Sequence, residues 1–410
     1  MSPLSNTAGI KTVVILLSFV FLFVVAILLD LQYLYLMAVT LAVLPLASYG
    51  LAFFAVTRFN AVREHPPTAS EGRAFSVTLQ VTARGGLPQG ALRVSDRLPE
   101  FVRNEAAESR AVPLDSWDGH SGEMTYRIVA EKRGVYQLGP ATIHTTDPLG
   151  LFSFAAPLTQ VSEITVHPVP LVSTEGMVGG EGRVGRRERD GKTHRGEGMD
   201  FHGVREYRTG DSLRRVHWPT TARTGQLSVI DFERAFQQDA VIALDASRGT
   251  DHGSGRATTL EYAVKIAATV ADRTLRAGGG VTLVTQGTVC VTRSGDDIDT
   301  SRFRLFEILA RLRANAETSL LDSLILARPA DGSFITLITS RGEPHIGAYL
   351  TRRGQRGDRV SVIFVEPSSF GGGPAASPAV AGAELRVVRR EDDPWQEGGR
   401  RLANILRQPS

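Results

Sequence analysis

Three kinds of hydrophobic patterning follow one another along the chain. Thr12 to Leu29 carries no charge and is almost wholly apolar, and after Asp30 a second uncharged stretch runs from Leu31 to Thr57. Each approaches the ~20 residues that a helix needs to cross a hydrocarbon core. From Phe75 the pattern changes to strict alternation: Phe75, Val77, Leu79 and Val81 are interleaved with Ser76, Thr78, Gln80 and Thr82. That period of two predicts half-buried strands. Short apolar runs recur at Leu92–Val94, Met124–Val129, Val135–Leu138, Ala141–Ile143 and Ile164–Val166, punctuated by Gly, Pro and Asp. Their spacing predicts an antiparallel β-sandwich over residues 58–172.

The third pattern begins near Val241. Val241–Leu244 is a continuous apolar run, as expected of a strand buried on both faces. Leu260, Val264, Ala267, Val270 and Leu275 then recur at helical spacing and stop before Gly278-Gly279-Gly280. Val281–Val284 is the next strand and Val289–Val291 its partner. Leu305, Ile308, Leu309 and Leu312 mark a second helix, Pro344–Leu350 a third, and Phe334–Ile338 and Val360–Val365 are further strands. Strands alternating with helices predict an α/β domain with a mostly parallel sheet over residues 204–370. Residues 173–203, rich in Gly and charge, read as a flexible linker, and 371–410 as a flexible C-terminal tail with a short amphipathic helix around Leu402–Leu406.

Charge adds an orientation. Lys11 flanks the first apolar stretch, Arg58 and Arg63 flank the second, and the turn at Asp30 to Gln32 has no basic residue. The positive-inside rule then makes residues 1–57 a transmembrane helical hairpin in the cell's inner (plasma) membrane. It passes the lipid bilayer twice and leaves both termini in the cytoplasm. A cleaved signal peptide fits poorly, since a second span follows at once. Pro45 and Gly50 are tolerated in lipid as a kink, and with no charge inside either span the hairpin reads as an anchor rather than a transport path. A net charge of +3 over 410 residues gives no basic surface of the kind that binds nucleic acid. The single cysteine, Cys290, sits between two valines and reads as a structural thiol.

The candidate chemistry lies in two places. Asp245-Ala246-Ser247 follows the first strand of the α/β domain, where open parallel sheets place their sites. A carboxylate and a hydroxyl at i and i+2 suit a hard divalent cation, Mg2+ or another, although no cofactor is certain. The second place is Arg205-Glu206-Tyr207-Arg208-Thr209-Gly210-Asp211-Ser212-Leu213-Arg214-Arg215-Val216-His217-Trp218, followed by Ala222-Arg223-Thr224-Gly225 and Phe232-Glu233. In one reading Asp211 or Ser212 caps a short helix through Leu213–Trp218 that Pro219 stops. Trp218 then packs inward, and Arg205, Glu206, Arg208 and Arg214 form an ion-pair clamp. In the other, His217 and the arginines face a groove for an acidic partner. Gly210-Asp211-Ser212-Leu213 spells a hydrolase nucleophile motif. It lacks both the preceding apolar strand and a downstream Asp-x-x-His, which disfavours a serine hydrolase. Neither a Walker loop nor a G-x-G-x-x-G helix start is present.

The Arg205–Trp218 stretch, with Arg223, Gly225 and Phe232-Glu233 after it, closely resembles the signature of the bacterial domain-of-unknown-function 58 family. The segments Arg133–Pro140 and Asp147–Phe152 also resemble that family's preceding β region. The resemblance implies a membrane-anchored, von Willebrand factor A-like domain that works with a MoxR-type AAA+ ATPase. It marks Arg205, Glu206, Arg208, Gly210, Asp211, Arg214, Arg215, His217, Trp218, Arg223 and Gly225 as signature or partner-binding residues. The von Willebrand fold often carries a metal site written Asp-x-Ser-x-Ser, of which Asp245 and Ser247 supply the first two ligands. Gly249 replaces the third, and Thr339-Ser340-Arg341-Gly342 stands where Asp-Gly is expected. The function implied is a non-enzymatic adaptor that helps assemble or remodel membrane or envelope complexes. The alternative is a metal-assisted hydrolase built on Asp245, Ser247 and His217.

Overall fold

A computed structural model describes residues 4–56, 59–83, 92–105, 111–113, 121–146, 151–171, 200–206, 218–225, 227–233, 239–395 and 399–405. The chain divides into two compact units, Met1–Val169 and Pro170–Ser410.

The first unit opens with two antiparallel helices, α1 (Leu4–Leu29) and α2 (Gln32–Val56), turned at Asp30, whose φ is +48°. Large apolar side chains point outward from both, among them Leu17, Phe21, Leu28, Leu36 and Leu46. A helix that is apolar all round suits a buried or lipid setting rather than a half-wet surface. Gln32–Gly50 is long and apolar enough to span a bilayer by length and composition, and Val13–Leu29 is a shorter apolar stretch.

Eleven short strands follow: β1 (Phe59–Glu64), β2 (Thr68–Ser70), β3 (Ala74–Ala83), β4 (Leu92–Arg97), β5 (Val102–Asn104), β6 (Ala111–Pro113), β7 (Ser121–Ala130), β8 (Gly134–Leu138), β9 (Thr142–Thr146), β10 (Ser153–Pro157) and β11 (Ser162–His167). They form three small sheets, ordered β1-β3-β7-β5, β10-β9-β4-β6 and β2-β11-β8, rather than the two of a simple sandwich. All pairs are antiparallel except β2–β11. The alternation in β3 is realised: Val77, Leu79 and Val81 enter one core with Val94, Met124, Ile128, Leu138, Ile143 and Ile164. Thr78 on the other face pairs with Thr125 across the ladder.

Inside this unit a charge is buried with its partners. Arg63 Nη2 lies 2.8 Å from Asp96 Oδ1, with both side chains fully buried. Arg63 Nη1 donates to the Leu138 carbonyl at 2.6 Å, and the Tyr126 hydroxyl donates to Asp96. Burial, reinforced by the Asp96 charge, pushes the Tyr126 hydroxyl pKa well up. Gly139 lies against this pair, so the Gly-Pro turn after β8 has a packing reason. Phe152 meets Tyr49 of α2 edge-on with ring centroids 5.4 Å apart. Phe154 meets Tyr49 at 5.2 Å and Phe53 at 6.2 Å, seating the end of α2 on β9 and β10.

In the second unit, β12 (Asp200–Glu206) and β13 (Ser228–Glu233) pair antiparallel, with α3 (Trp218–Thr224) between them in sequence. The expected linker, 173–203, lies outside the described residues up to 199 and ends as the start of β12. A six-stranded sheet follows. Its strands are β14 (Ala240–Leu244), β17 (Val281–Thr285), β18 (Thr288–Val291), β19 (Phe334–Thr339), β20 (Arg359–Val365) and β21 (Glu384–Val388). Before β17 comes a two-residue hairpin, β15 (Gly253–Ser254) with β16 (Ala257–Thr258). The order is β18-β17-β14-β19-β20-β21, with β18 antiparallel to β17 and the remaining ladders parallel.

Helices α4 (Thr259–Arg276) and α5 (Ile298–Arg311) contribute to the core on one face, with Ile242, Leu244, Leu283 and Ile363. Helices α6 (Leu320–Ala327) and α7 (Pro344–Gln355) contribute to the core on the other, with Val241, Ala243, Ile335, Leu337 and Val362. Every residue of β14 is buried, as a strand covered on both faces requires.

The C-terminal segment corrects the expected flexible tail. Residues 384–388 are β21, in parallel register with Ser361–Val365 of β20. Val388 and Leu402 are fully buried, the latter in α8 (Arg400–Ile405), the short helix expected there. Trp395 stacks edge-on against Tyr262 of α4, at 5.5 Å, with Lys265 and Arg256 near its ring. A segment poor in long apolar runs is ordered here because one aromatic ring and the buried Val388 at the end of an edge strand find a core already built by others.

Candidate functional site at the end of β14

The first strand of the sheet stops at Leu244, and the chain turns away through Asp245-Ala246-Ser247, all three buried. To one side of β14 lies β17, to the other β19, so the strand order reverses here and the loops part to opposite faces. This is the position at which open α/β sheets bind ligands.

Both polar side chains of the loop are paired. Asp245 Oδ1 accepts from the Ser247 backbone N–H at 3.1 Å, the Ser247 hydroxyl at 2.7 Å and Gln286 Nε2 at 2.7 Å. Its Oδ2 accepts from the Thr339 hydroxyl at 2.9 Å and from Arg341 Nε at 3.3 Å. Ser247 Oγ in turn accepts from Gln286 Nε2 and Arg341 Nη2, each at 2.7 Å. Gln286, at the end of β17, also uses its Oε1 to accept from the Ala246 N–H at 2.9 Å. Thr250 donates to the Ser247 carbonyl at 2.6 Å, and Ser340 donates to the Thr250 carbonyl at 2.9 Å. A bridge between Ser247 and Ala316 ties the loop to the segment preceding α6.

A carboxylate offers about four lone-pair positions. Five protein donors therefore saturate Asp245. A hard divalent cation asks instead for free oxygens, closely set and arranged around one point. The arrangement as it stands does not fit a metal ion: the two proposed ligands, Asp245 and Ser247, are spent on each other, on Gln286 and on Arg341. Among the described residues no cluster of three or more His, Cys, Asp or Glu is arranged to hold one. Nor is Ser247 poised as a nucleophile, since its hydroxyl hydrogen goes to Asp245 and both acceptor positions are filled.

The signature stretch is seen in part. Arg205 and Glu206 lie near the end of β12, opposite Val229 and Ser228 of β13. Arg208, Gly210, Asp211, Arg214, Arg215 and His217 lie outside the described residues, as does the expected cap at Asp211 or Ser212. Of the expected helix Leu213–Trp218, residues 213–217 lie outside the described residues, while Trp218 and Pro219 depart from what was expected of them. Pro219 does not stop a helix but follows the first residue of α3, which runs on to Thr224. Proline suits the first turn, where its missing N–H has no intrahelical partner to lose. Trp218 is 67% exposed rather than packed inward. Arg223 is exposed in the last turn of α3. Gly225 ends that helix with φ +70° and its N–H on the Thr221 carbonyl at 2.9 Å.

A second concavity of about 550 Å³ lies by the first turns of α4, lined by Ala257, Tyr262, Ser369, Arg390, Glu391 and Asp393. Tyr262 donates to the Arg390 carbonyl at 2.7 Å, and burial raises its pKa.

Comparison with known proteins bears on the segment that joins these features. Residues 203–307 match the family described as "Protein of unknown function DUF58". The matched span runs from β12 through the signature, β14 and its loop into α5. It supports the family resemblance while leaving the function open. The curated relative "Uncharacterized protein YeaD" of Bacillus subtilis (strain 168) is 25% identical over 261 residues, 60% of this chain and 61% of that protein. Among solved structures, a cohesin module from a Clostridium perfringens family 33 glycoside hydrolase is 14% identical. It covers 27% of this chain and 98% of its own, with a TM-score of 0.20. The CARDB domain of a Pyrococcus furiosus protein is 11% identical and covers 26% of this chain and 91% of its own, with a TM-score of 0.18.

Proposed function

We propose that the protein is a membrane-anchored adaptor: a helical hairpin fixes it in the bilayer, and a von Willebrand factor A-like domain docks a partner in the cytoplasm. The partner class is a MoxR-type AAA+ ATPase, and the outcome is assembly or remodelling of membrane or envelope complexes. The observation that carries the non-enzymatic reading is the saturated network at Asp245. A carboxylate with five donors, beside a serine whose hydroxyl hydrogen is held by that carboxylate, has neither a lone pair nor a proton to offer a substrate. The strand order, with one antiparallel strand at the β18 edge, and the position of Asp245-Ala246-Ser247 support the von Willebrand reading. Support for the anchor comes from two outward-apolar helices and from Lys11 and Arg58 flanking them.

The test is affinity purification after cross-linking in native membranes, comparing wild type, Asp245→Ala and Arg214→Ala/His217→Ala at matched expression. Recovery of an AAA+ ATPase with wild type, and its loss with one variant set, is the expected outcome and identifies the docking surface. Absence of any such ATPase from every sample overturns the partner assignment.

A further inference from the structure

We infer that the guanidinium of Arg341 is the resident cation of the β14 strand-end site, which therefore works without a dissociable metal ion. The loop has the makings of an oxygen-ligand site: the Asp245 carboxylate and the hydroxyls of Ser247 and Thr339 converge at the carboxyl ends of β14 and β19. A fourth oxygen source, Glu343 Oε2, lies 3.6 Å from Arg341 Nη2. Two carboxylates and two hydroxyls in one place call for positive charge. Arg341 supplies it from inside the chain, with Nε 3.3 Å from Asp245 Oδ2 and Nη2 2.7 Å from Ser247 Oγ. Its planar fork reaches a carboxylate and a hydroxyl at once, which a lysine could not do with the same geometry.

The guanidinium and a divalent cation would compete for the same oxygens. The covalent tether favours the guanidinium, because its local concentration does not depend on the medium. Its own backbone N–H also donates to Thr339 Oγ1 at 3.1 Å, so the residue is held at both ends. Gln286 completes the enclosure from β17. Its two contacts with Asp245 Oδ1 and Ser247 Oγ occupy lone pairs that Arg341 leaves.

Removing the guanidinium frees one acceptor position on each of Asp245 Oδ2 and Ser247 Oγ and leaves two carboxylates and two hydroxyls around the vacated position, a set that suits Mn2+ or Mg2+. Full-length protein in detergent is titrated with Mn2+, the free ion being read by electron paramagnetic resonance, for wild type, Asp245→Asn, Arg341→Ala and Arg341→Ala/Asp245→Asn. Wild type is expected to show no saturable binding that depends on Asp245. Arg341→Ala is expected to gain one saturable site, lost again in the double variant. A saturable wild-type site abolished by Asp245→Asn overturns the inference and needs no Arg341 variant to be stable. An Arg341→Ala protein with wild-type circular dichroism that gains no site overturns it equally.

Discussion

Gly139 and Gly225 both adopt positive φ, +92° and +70°, yet they answer to different constraints. A Cβ on Gly225 meets open space, whereas one on Gly139 falls 2.6 Å from Arg63 Nη1 and 2.8 Å from the Gln160 carbonyl. Gly225→Ala is expected to cost about 1–2 kcal/mol, for left-handed backbone alone. Gly139→Ala must also disturb a buried ion pair and is expected to cost roughly 3–5 kcal/mol. Urea unfolding of the two variants checks the order, and equal midpoints would refute it. Asp297, exposed, caps α5 by accepting from the Thr300 N–H at 2.8 Å, and its hydrogen bonds with Thr300 hold its carboxyl below the usual aspartate range. A depressed folded-state pKa contributes stability that is present above the unfolded value and lost as pH falls through the folded one. Asp297→Ala is therefore expected to lower the melting temperature at neutral pH, with the gap to wild type closing in acid. A gap independent of pH would exclude the ionised cap as its cause. At this scale the place of Asp245 and Ser247 was legible, because the continuous apolar run directly before them marks the end of a buried strand. Gln286 was not, being 41 positions from Asp245 with no motif around it. The usable signal was that it, too, directly follows an apolar strand, and neighbouring parallel strands end together.

Strong periodicity translated into structure: β3 kept its alternation, and α4 ran from its Thr258 cap to Arg276, just short of the glycines expected to end it. Weaker elements escaped. Glu384-Leu385-Arg386-Val387-Val388 mixes charge with apolar residues, as an edge strand should, but follows a Gly/Ala/Pro-rich run that reads as coil. The helical residues after Pro219 were missed because proline was taken as a stop, although it is tolerated in a first turn. Ending the chain at Gly371 tests the corrected view of the C-terminal segment. It strips β21 from β20 and removes Val388 and Leu402 from the α4 core. The truncated protein is expected to bind a hydrophobic dye and to aggregate on size exclusion, since an open apolar edge invites pairing between chains. A monodisperse product that binds no more dye than wild type would return the segment to the status of a dispensable tail.

For the molecule as a whole, charge and patterning suggested an order of parts, anchor first and α/β sheet last, while the assignment of function depended on resemblance. The reason is physical. A docking surface is made of ordinary exposed side chains, and Trp218 and Arg223 on α3 carry no local pattern that separates them from any other exposed residues. The seat of α2 on the β domain bears on the anchor reading in another way. Tyr49 and Phe53 grip Phe152 and Phe154, so the second helix and the strands β9 and β10 form one lever rather than a bead on a string. In a bilayer, a helix adjusts its tilt to the local hydrocarbon thickness. If the hairpin crosses a bilayer as proposed, a change in its tilt would pass to β9 and β10 as rotation instead of being absorbed at a hinge.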